Sequence, residues 1–255
     1  APGSATAIQG VPFTQTLATT GGVAPFTYQL ETGALPAGLV LGSTGVISGT
    51  TGSAPGNYAV SIRVTDSSTG AGSYFEVENF TLTVSPAPTV SIAVAPASVS
   101  EDGATNLVYT VTRSLNLSSA TVVNLTTGGT ATPGTDYTGA TTTLTIPAGA
   151  TTPTLTIDPV ADGVVEANET VILTVGTGSG YTVGTPSSAT GTILNDDVPV
   201  ATISLSPASV NEDSGTALVY TVSLDQAPLA PLSIAFTVGG SATSGSDFAV
   251  MSSPL

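Results

Sequence analysis

Short stretches in which apolar and polar residues alternate one by one run through nearly the whole chain. Examples are TVSIAV at 89–94, LVYTV at 107–111 and TVILTV at 170–175. Clusters of Gly, Pro, Asn and Ser interrupt these stretches. Since the side chains of a strand point alternately to its two faces, the pattern predicts half-buried β-strands. No stretch has the apolar spacing of a helix, so we expect an all-β fold of antiparallel sandwiches.

Two of the predicted strands have the same sequence, TLTI, at 143–146 and at 154–157. Pro147 to Ala150 lie in the short connection between them and have turn-forming character. The spacing predicts a β-hairpin in which the Leu and Ile residues of one strand face those of the other.

An internal repeat divides the chain. The segment PASVSEDGATNLVYTV at 96–111 recurs as PASVNEDSGTALVYTV at 207–222. GTATPGTDYTG at 129–139 recurs as GSATSGSDFAV at 240–250. Corresponding residues lie 111 positions apart in both pairs, without a gap. Self-similarity at a fixed period indicates two copies of one structural unit.

The repeat and the Pro-marked joint SPAPT predict three units, at residues 1–87, 88–198 and 199–255. The second is a complete repeat and the third is the first half of another copy, so we expect the last sandwich to be incomplete. Because no long Gly/Ser linker separates the units, the array should be a stiff rod. We expect the sequence to be an internal or mature fragment of a longer protein. The alternative is that strands from another copy complete the third unit and form a homo-oligomer.

The composition excludes most kinds of active site. The chain has no Cys, His or Trp, and its two basic residues are Arg63 and Arg113. Nucleophilic sites that use His, Cys or Lys therefore cannot be formed. The nitrogen and sulfur ligands that usually bind zinc, copper and haem iron are also absent from the sequence. A glycosidase could use paired carboxylates, but the chain offers few aromatic platforms, with only 5% aromatic residues. We therefore predict that the chain is not an enzyme.

The charge balance limits the partners. The formal net charge is −15 at pH 7, which argues against nucleic acid or an anionic membrane surface. No apolar run is long enough to cross a bilayer as a helix, so we expect no membrane insertion. Sparse charge and the absence of thiols favour an extracellular or cell-surface location.

Acidic residues are concentrated in IDPVADGVVEANETV at 157–171, which holds Asp158, Asp162, Glu166 and Glu169 and no basic residue. Two such charges about 5 Å apart repel by roughly 3 kcal/mol at an effective dielectric constant near 20. A bound cation would relieve this repulsion, and Ca²⁺ takes six to eight oxygen ligands without needing nitrogen or sulfur. The segment therefore predicts a calcium site.

The first unit contains LPAGL at 35–39, GVISGT at 45–50 and VTDS at 64–67. In these motifs it resembles the putative-Ig family of bacterial surface proteins. The resemblance implies an Ig-like or cadherin-like sandwich that serves as a spacer or adhesive module.

The second unit contains VSEDG at 99–103, GTATPGTDYTG at 129–139, ADGVVEANETV at 161–171 and ILNDD at 193–197. With these motifs it resembles the Calx-beta family, and the third unit does so as far as it extends. The resemblance implies a seven-stranded sandwich that binds Ca²⁺ with loops at one pole. It places seven residues at ligand positions: Glu101, Asp136, Asp162, Glu166, Glu169, Asp196 and Asp197.

Two residues depart from the family pattern, because Ala161 and Asn195 stand where calcium-sensing members have further aspartates. Fewer acids imply fewer ions or weaker binding. Asp196 and Asp197 also lie just before the predicted third unit, so an ion there would lie beside the junction.

We therefore expect a calcium-binding structural or adhesive module of a larger secreted or cell-surface protein, in which Ca²⁺ stiffens a rod of tandem sandwiches. Its partners would be calcium ions and a ligand on a host or neighbouring cell. One alternative is a passive spacer or filament-forming array without a specific metal. Another is a carbohydrate-binding surface module built on outward-facing threonines.

Overall fold

Strands make up the regular structure in all three units. The computed structural model describes residues 3–71 and 74–254, and that part of the chain contains no α-helix. A 3₁₀ turn at Glu212–Ser214 is the helical element described there. No helix of this part of the chain is long and apolar enough to span a membrane. The predicted all-β fold class is confirmed.

The first unit is a sandwich of a four-stranded and a three-stranded sheet, with strand orders β1-β7-β6-β3 and β2-β5-β4. Strand β1 pairs with β7 in parallel and the other pairs are antiparallel. Ile47, Ile62 and Leu82 are buried in its core. The strands are β1 (Ser4–Ile8), β2 (Pro12–Thr16), β3 (Thr27–Thr32), β4 (Leu39–Leu41), β5 (Val46–Thr50), β6 (Gly56–Thr65) and β7 (Phe75–Ser85).

The second unit is a sandwich of two five-stranded sheets, with strand orders β12-β14-β10-β8-β16 and β13-β11-β15-β17-β9. Three of its strands, β9, β12 and β16, have only two or three residues; the other seven match the number that the family resemblance implied. The strands are β8 (Thr89–Ala95), β9 (Ser98–Ser100), β10 (Leu107–Arg113), β11 (Thr121–Gly129), β12 (Tyr137–Thr138), β13 (Thr143–Ile146), β14 (Thr154–Pro159), β15 (Glu169–Val175), β16 (Thr182–Val183) and β17 (Ser188–Leu194).

Along β10, every second side chain is buried in the core of the second unit. Leu107, Tyr109 and Val111 are fully buried, and the residues between them are only partly buried. The Tyr109 hydroxyl donates to the Val171 carbonyl at 2.6 Å and accepts from the Gly191 amide at 3.1 Å. A Cβ at Gly191 would lie 2.8 Å from that hydroxyl oxygen, so this close approach requires glycine.

The predicted hairpin between 143–146 and 154–157 is wrong. Strand β13 pairs with β11 in one sheet, whereas β14 pairs with β10 and β12 in the other. Ile146 and Ile157 are both fully buried and face the shared core from opposite sheets. Both strands need to bury their apolar face, and a crossing between sheets satisfies this requirement as well as a hairpin does.

The third unit repeats the start of the second. Strands β18 (Ala201–Ser206) and β19 (Val219–Leu224) pair antiparallel, and Tyr220 faces Leu205 just as Tyr109 faces Val94. Tyr109 is fully buried, whereas Tyr220 is 52% exposed. Residues 199–254 form no second sheet over β18 and β19, which leaves this side chain uncovered.

Candidate metal centre

Several strands of the second unit begin or end at one pole of the sandwich. The end of β9 pairs with the end of β17, where Ser100 is opposite Leu194. The start of β15 lies beside the same end of β17, where Glu169 is opposite Ile193. In the other sheet, β14 ends at Pro159 opposite Tyr137. The loops that follow these strand ends therefore meet at one pole, although they are far apart in sequence.

One group of three carboxylates at this pole consists of Glu101, Asp162 and Asp197. Each side chain offers one oxygen, and the three oxygens lie within 4.8 Å of one another. The Glu101 amide donates to the Leu194 carbonyl at 3.0 Å, which fixes Glu101 beside the exit of β17. The Asp162 carboxylate accepts from the Val164 amide at 2.7 Å and so closes its own turn.

A second group of three consists of Asp136, Glu166 and Glu169, and their oxygens also lie within 4.8 Å of one another. The Asp136 carboxylate accepts from the Thr132 amide at 2.5 Å, and the Asp136 carbonyl accepts from the Val160 amide at 3.0 Å. The first bond closes a turn within the loop before β12, and the second joins that loop to the residue that follows β14.

The structure thus brings six of the seven predicted residues together and gives Asp196 a different environment. The Asp196 carboxylate accepts from the Ser100 hydroxyl at 2.7 Å and from the Asp102 amide at 3.3 Å. Asp196 belongs to neither group of three. Its contacts support the turn that carries Glu101, so we now expect Asp196 to position a ligand.

The two groups act on each other electrostatically. Burial, followed by the charges of Asp162 and Asp197, raises the pKa of Glu101 to about 7. Burial, followed by a hydrogen bond to Asp136, raises the pKa of Glu169 to about 7. The charge of Glu101 adds to the shift at Glu169, so the six carboxylates form one cluster. We call these six residues the acidic cluster.

Neither arginine relieves the repulsion in the acidic cluster. Arg63, in the first unit, pairs with Glu31 at 2.7 Å and lies over the ring of Phe75. Arg113 ends β10, six residues from Leu107 and so about 20 Å further along the strand. Its buried guanidinium donates to Thr121 and to the Ala150 carbonyl.

Two residues that the sequence analysis did not assign to the site contribute to it. The Asn195 side chain accepts from the Glu166 amide at 3.2 Å and donates to the Asp197 carbonyl at 3.1 Å, which links the two groups. Burial is the largest cause of the raised pKa of both Glu101 and Asp197, and the charge of Asp102 adds to both shifts, so this side chain lies close to the cluster. The adjacency of Asp102 to Glu101 was the available signal for the first residue, and for Asn195 it was the family resemblance, in which calcium-sensing members have an aspartate at this position.

The acidic cluster fits a calcium ion. Its donors are all carboxylate oxygens, which Ca²⁺ binds at about 2.3–2.6 Å. Two ligands of one such ion can be at most about 5 Å apart, consistent with the 4.8 Å limit within each group. The Asp197 Oδ2 atom is buried and has no hydrogen-bond partner. An unpaired buried carboxylate oxygen is costly, and a cation would stabilise it.

Comparison with known proteins gives two family matches. The model described as Calx-beta domain matches residues 85–197 and 195–255, and the model described as Putative Ig domain matches residues 1–85. Both resemblances noted in the sequence are confirmed. No curated protein matches this chain.

Solved structures with similarity to the chain include Calx domains and a cadherin. The apo-form Calx CBD1 domain is 27% identical, with a TM-score of 0.37, over 43% of this chain and 99% of that chain. The calcium binding domain CBD12 of CALX1.1 is 28% identical, with a TM-score of 0.36, over 42% of this chain and 44% of that chain. Drosophila N-cadherin EC1-4 is 13% identical, with a TM-score of 0.29, over 88% of this chain and 57% of that chain.

The alignment with CBD12 therefore spans less than half of that chain. The Calx-beta model, in contrast, matches well over half of the present chain and covers the whole acidic cluster. This protein belongs to the Calx-beta family.

Proposed function

We propose that the chain is a calcium-binding structural module in which Ca²⁺ holds the acidic pole of the second unit together and stiffens a rod of tandem β-sandwiches. The observation that carries the proposal is the position of Glu101. This residue is 8% exposed, and its carboxylate is surrounded by further carboxylates, with no basic side chain described near it. Buried charges need compensation, and a divalent ion supplies it.

The proposed ligands are the acidic cluster, with Asp196 in a supporting role. The ion would supply positive charge and oxygen coordination. The residues supply the frame: the Asp162 carboxylate is oriented by the Val164 amide, and Asp136 is oriented by the Thr132 amide. Ligand saturation at about one hundred times Kd stabilises a folded domain by roughly 2.7 kcal/mol.

Calcium binding would stiffen the rod because Asp197 lies next to the junction with the third unit. Asp197 is followed within three residues by Val200, whose amide donates to the Asp225 carboxylate at 2.7 Å in the third unit. An ion that immobilises Asp197 would shorten the unrestrained stretch of chain between the second and third units. The proposed units are 1–87, 88–198 and 199–255, and the proposed setting is a secreted or cell-surface array that presents an adhesive surface or acts as a spacer.

A calorimetric titration of calcium chloride into the chelator-treated chain tests this function. We expect saturable binding in the wild type and at least tenfold weaker binding in Asp162→Asn. The matched control is Asp158→Asn, because Asp158 is exposed on β14 and belongs to neither group of three. Absence of binding in the wild type, or equal losses in both variants, would reject the proposal in favour of a passive spacer.

A further inference from the structure

A glutamine of the third unit contacts the loop that carries two members of the acidic cluster. The Gln226 side chain donates from Nε2 to the Gly163 carbonyl at 2.5 Å. Its Oε1 accepts from the Val165 amide at 3.0 Å. One primary amide therefore satisfies both a carbonyl and an amide group of the loop, a pattern that fixes orientation as well as distance.

The contacted loop lies between the two groups of three carboxylates. Gly163 and Val165 fall between Asp162, which belongs to one group, and Glu166, which belongs to the other. The Val164 amide, between the two contacted residues, donates to the Asp162 carboxylate. The loop thus contacts the acidic cluster on one side and Gln226 on the other.

Gln226 is itself held close to the junction. It follows Asp225, whose carboxylate accepts from the Val200 amide at 2.7 Å and whose amide donates to the Val200 carbonyl at 3.1 Å. These two hydrogen bonds hold the residue after β19 beside the start of the third unit. A shift of the third unit relative to the second would break the contacts of Gln226, because its neighbour is anchored on the third unit.

We propose that Gln226 is a positioning residue that couples calcium binding by the acidic cluster to the orientation of the third unit. The proposal rests on the calcium binding proposed above. Calcium would order the 162–166 segment, and an ordered segment presents the Gly163 carbonyl and Val165 amide at a fixed spacing to one side chain. One coupling free energy then links calcium binding to the orientation of the third unit. Calcium therefore favours the fixed orientation by the same factor by which that orientation favours calcium binding.

The repeat shows that this contact is specific to the junction after the acidic cluster. The residue of the second unit that corresponds to Gln226 is Leu115, which is 41% exposed and has no amide to donate or accept. At the pole that includes Leu115, the first and second units approach through Gly10 and Gly180. A Cβ at Gly10 would lie 3.1 Å from the Gly180 Cα. Backbone proximity at that junction does not involve any acidic residue of the cluster.

The test measures calcium affinity and the orientation of the two units in the full chain. The chain has no Cys, so cysteines introduced at the exposed positions Thr154 and Ser204 accept spin labels selectively. Pulsed electron paramagnetic resonance then gives the distance distribution between β14 and β18. The variant is Gln226→Met, which keeps the length of the side chain and removes both hydrogen bonds. The control is Gln9→Met in the first unit, where the Gln9 side chain donates to the Gly52 carbonyl.

In the wild type and in the Gln9→Met control we expect calcium to narrow the distance distribution. In Gln226→Met we expect the distribution to stay as broad in calcium as in chelator, with calcium affinity about threefold to tenfold lower. The melting temperature of the second unit in chelator should be unchanged, whereas a merely structural contact would lower it.

Two negative results are distinguishable. If calorimetry shows no calcium binding to the wild type, the proposed function fails and the coupling fails with it. If the wild type binds calcium and Gln226→Met shows the same narrowed distribution and the same affinity, the proposed function stands and the role of Gln226 is rejected.

Discussion

A carboxylate oxygen of Glu101 lies within 4.8 Å of one from Asp197, although strands β10 to β17 separate the two residues in the chain. Pairing of β9 with β17 produces this proximity. Two like charges at this distance in a partly buried site destabilise the folded chain unless a cation compensates them. The stability of the second unit should therefore depend on calcium, on pH and on the charge of single cluster residues.

Replacing Glu101 by Gln should have opposite effects with and without calcium. In chelator, loss of the charge should stabilise the second unit by about 1–3 kcal/mol, because the cost of burying that charge and its repulsion from Asp162 and Asp197 both disappear. In calcium, affinity should fall at least tenfold because a ligand is lost. Thermal melts in both conditions measure the effect, with Glu78→Gln, an exposed acid on β7, as control. A variant that is less stable in chelator would contradict the repulsion argument.

The calcium-free protein should become more stable as the pH falls from about 8 to about 5. The pKa values of Glu101 and Glu169 are raised from 4.5 to about 7, so the folded chain binds more protons than the unfolded chain in this range. Melting temperatures in chelator at several pH values test this slope. The double variant Glu101→Gln with Glu169→Gln should flatten it. With saturating calcium the slope should reverse, because protons compete with the ion for the same oxygens.

Replacing Asn195 should raise or lower the calcium affinity of the site, depending on the new side chain. Asn195→Asp keeps the acceptor for the Glu166 amide and adds a carboxylate, so calcium should bind about threefold to tenfold more tightly. Asn195→Ala removes the bonds to Glu166 and Asp197 and should weaken binding. Competition with a calcium-sensitive dye measures both. Equal affinities in the two variants would show that Asn195 does not link the loops.

The repeat supplies a matched pair for the core. Tyr109→Phe removes buried hydrogen bonds to Val171 and Gly191 and should lower the free energy of unfolding by about 1–3 kcal/mol. Tyr220→Phe, at the corresponding exposed position, should change it by less than about 0.5 kcal/mol. Urea unfolding of the two variants compares them directly. Similar losses would mean that Tyr220 is covered in solution.

The sequence predicted the features that depend on local pattern. Alternation predicted the strands β8, β10, β13, β14 and β15 of the second unit, and the motifs shared with the Calx-beta family predicted six residues that meet at one pole. Strand pairing across the sandwich was not predictable in the same way. The TLTI strands at 143–146 and 154–157 bury their apolar faces equally well as hairpin partners or in opposite sheets. The short strands β9, β12 and β16 are too brief to show any period.

Contacts made by neutral side chains were also beyond the sequence pattern. Asn195 bridges Glu166 and Asp197, and Gln226 reaches Gly163 and Val165, because the fold places their loops side by side. Amide side chains are common in loops, and their partners depend on geometry rather than on spacing. The resemblance to the Calx-beta family placed the six residues of the acidic cluster at ligand positions, whereas the concentration of charge at 157–171 also included Asp158, which belongs to neither group of three.

The position of the ion tests the account most directly. Crystals of the chain grown in calcium chloride, measured at a wavelength where calcium scatters anomalously, should show a peak between the carboxylates of Glu101, Asp162 and Asp197. A second peak beside Asp136, Glu166 and Glu169 would indicate a further ion. Carboxylates that point separately into solvent, with no anomalous peak at saturating calcium, would contradict the central claim that these residues form a calcium site.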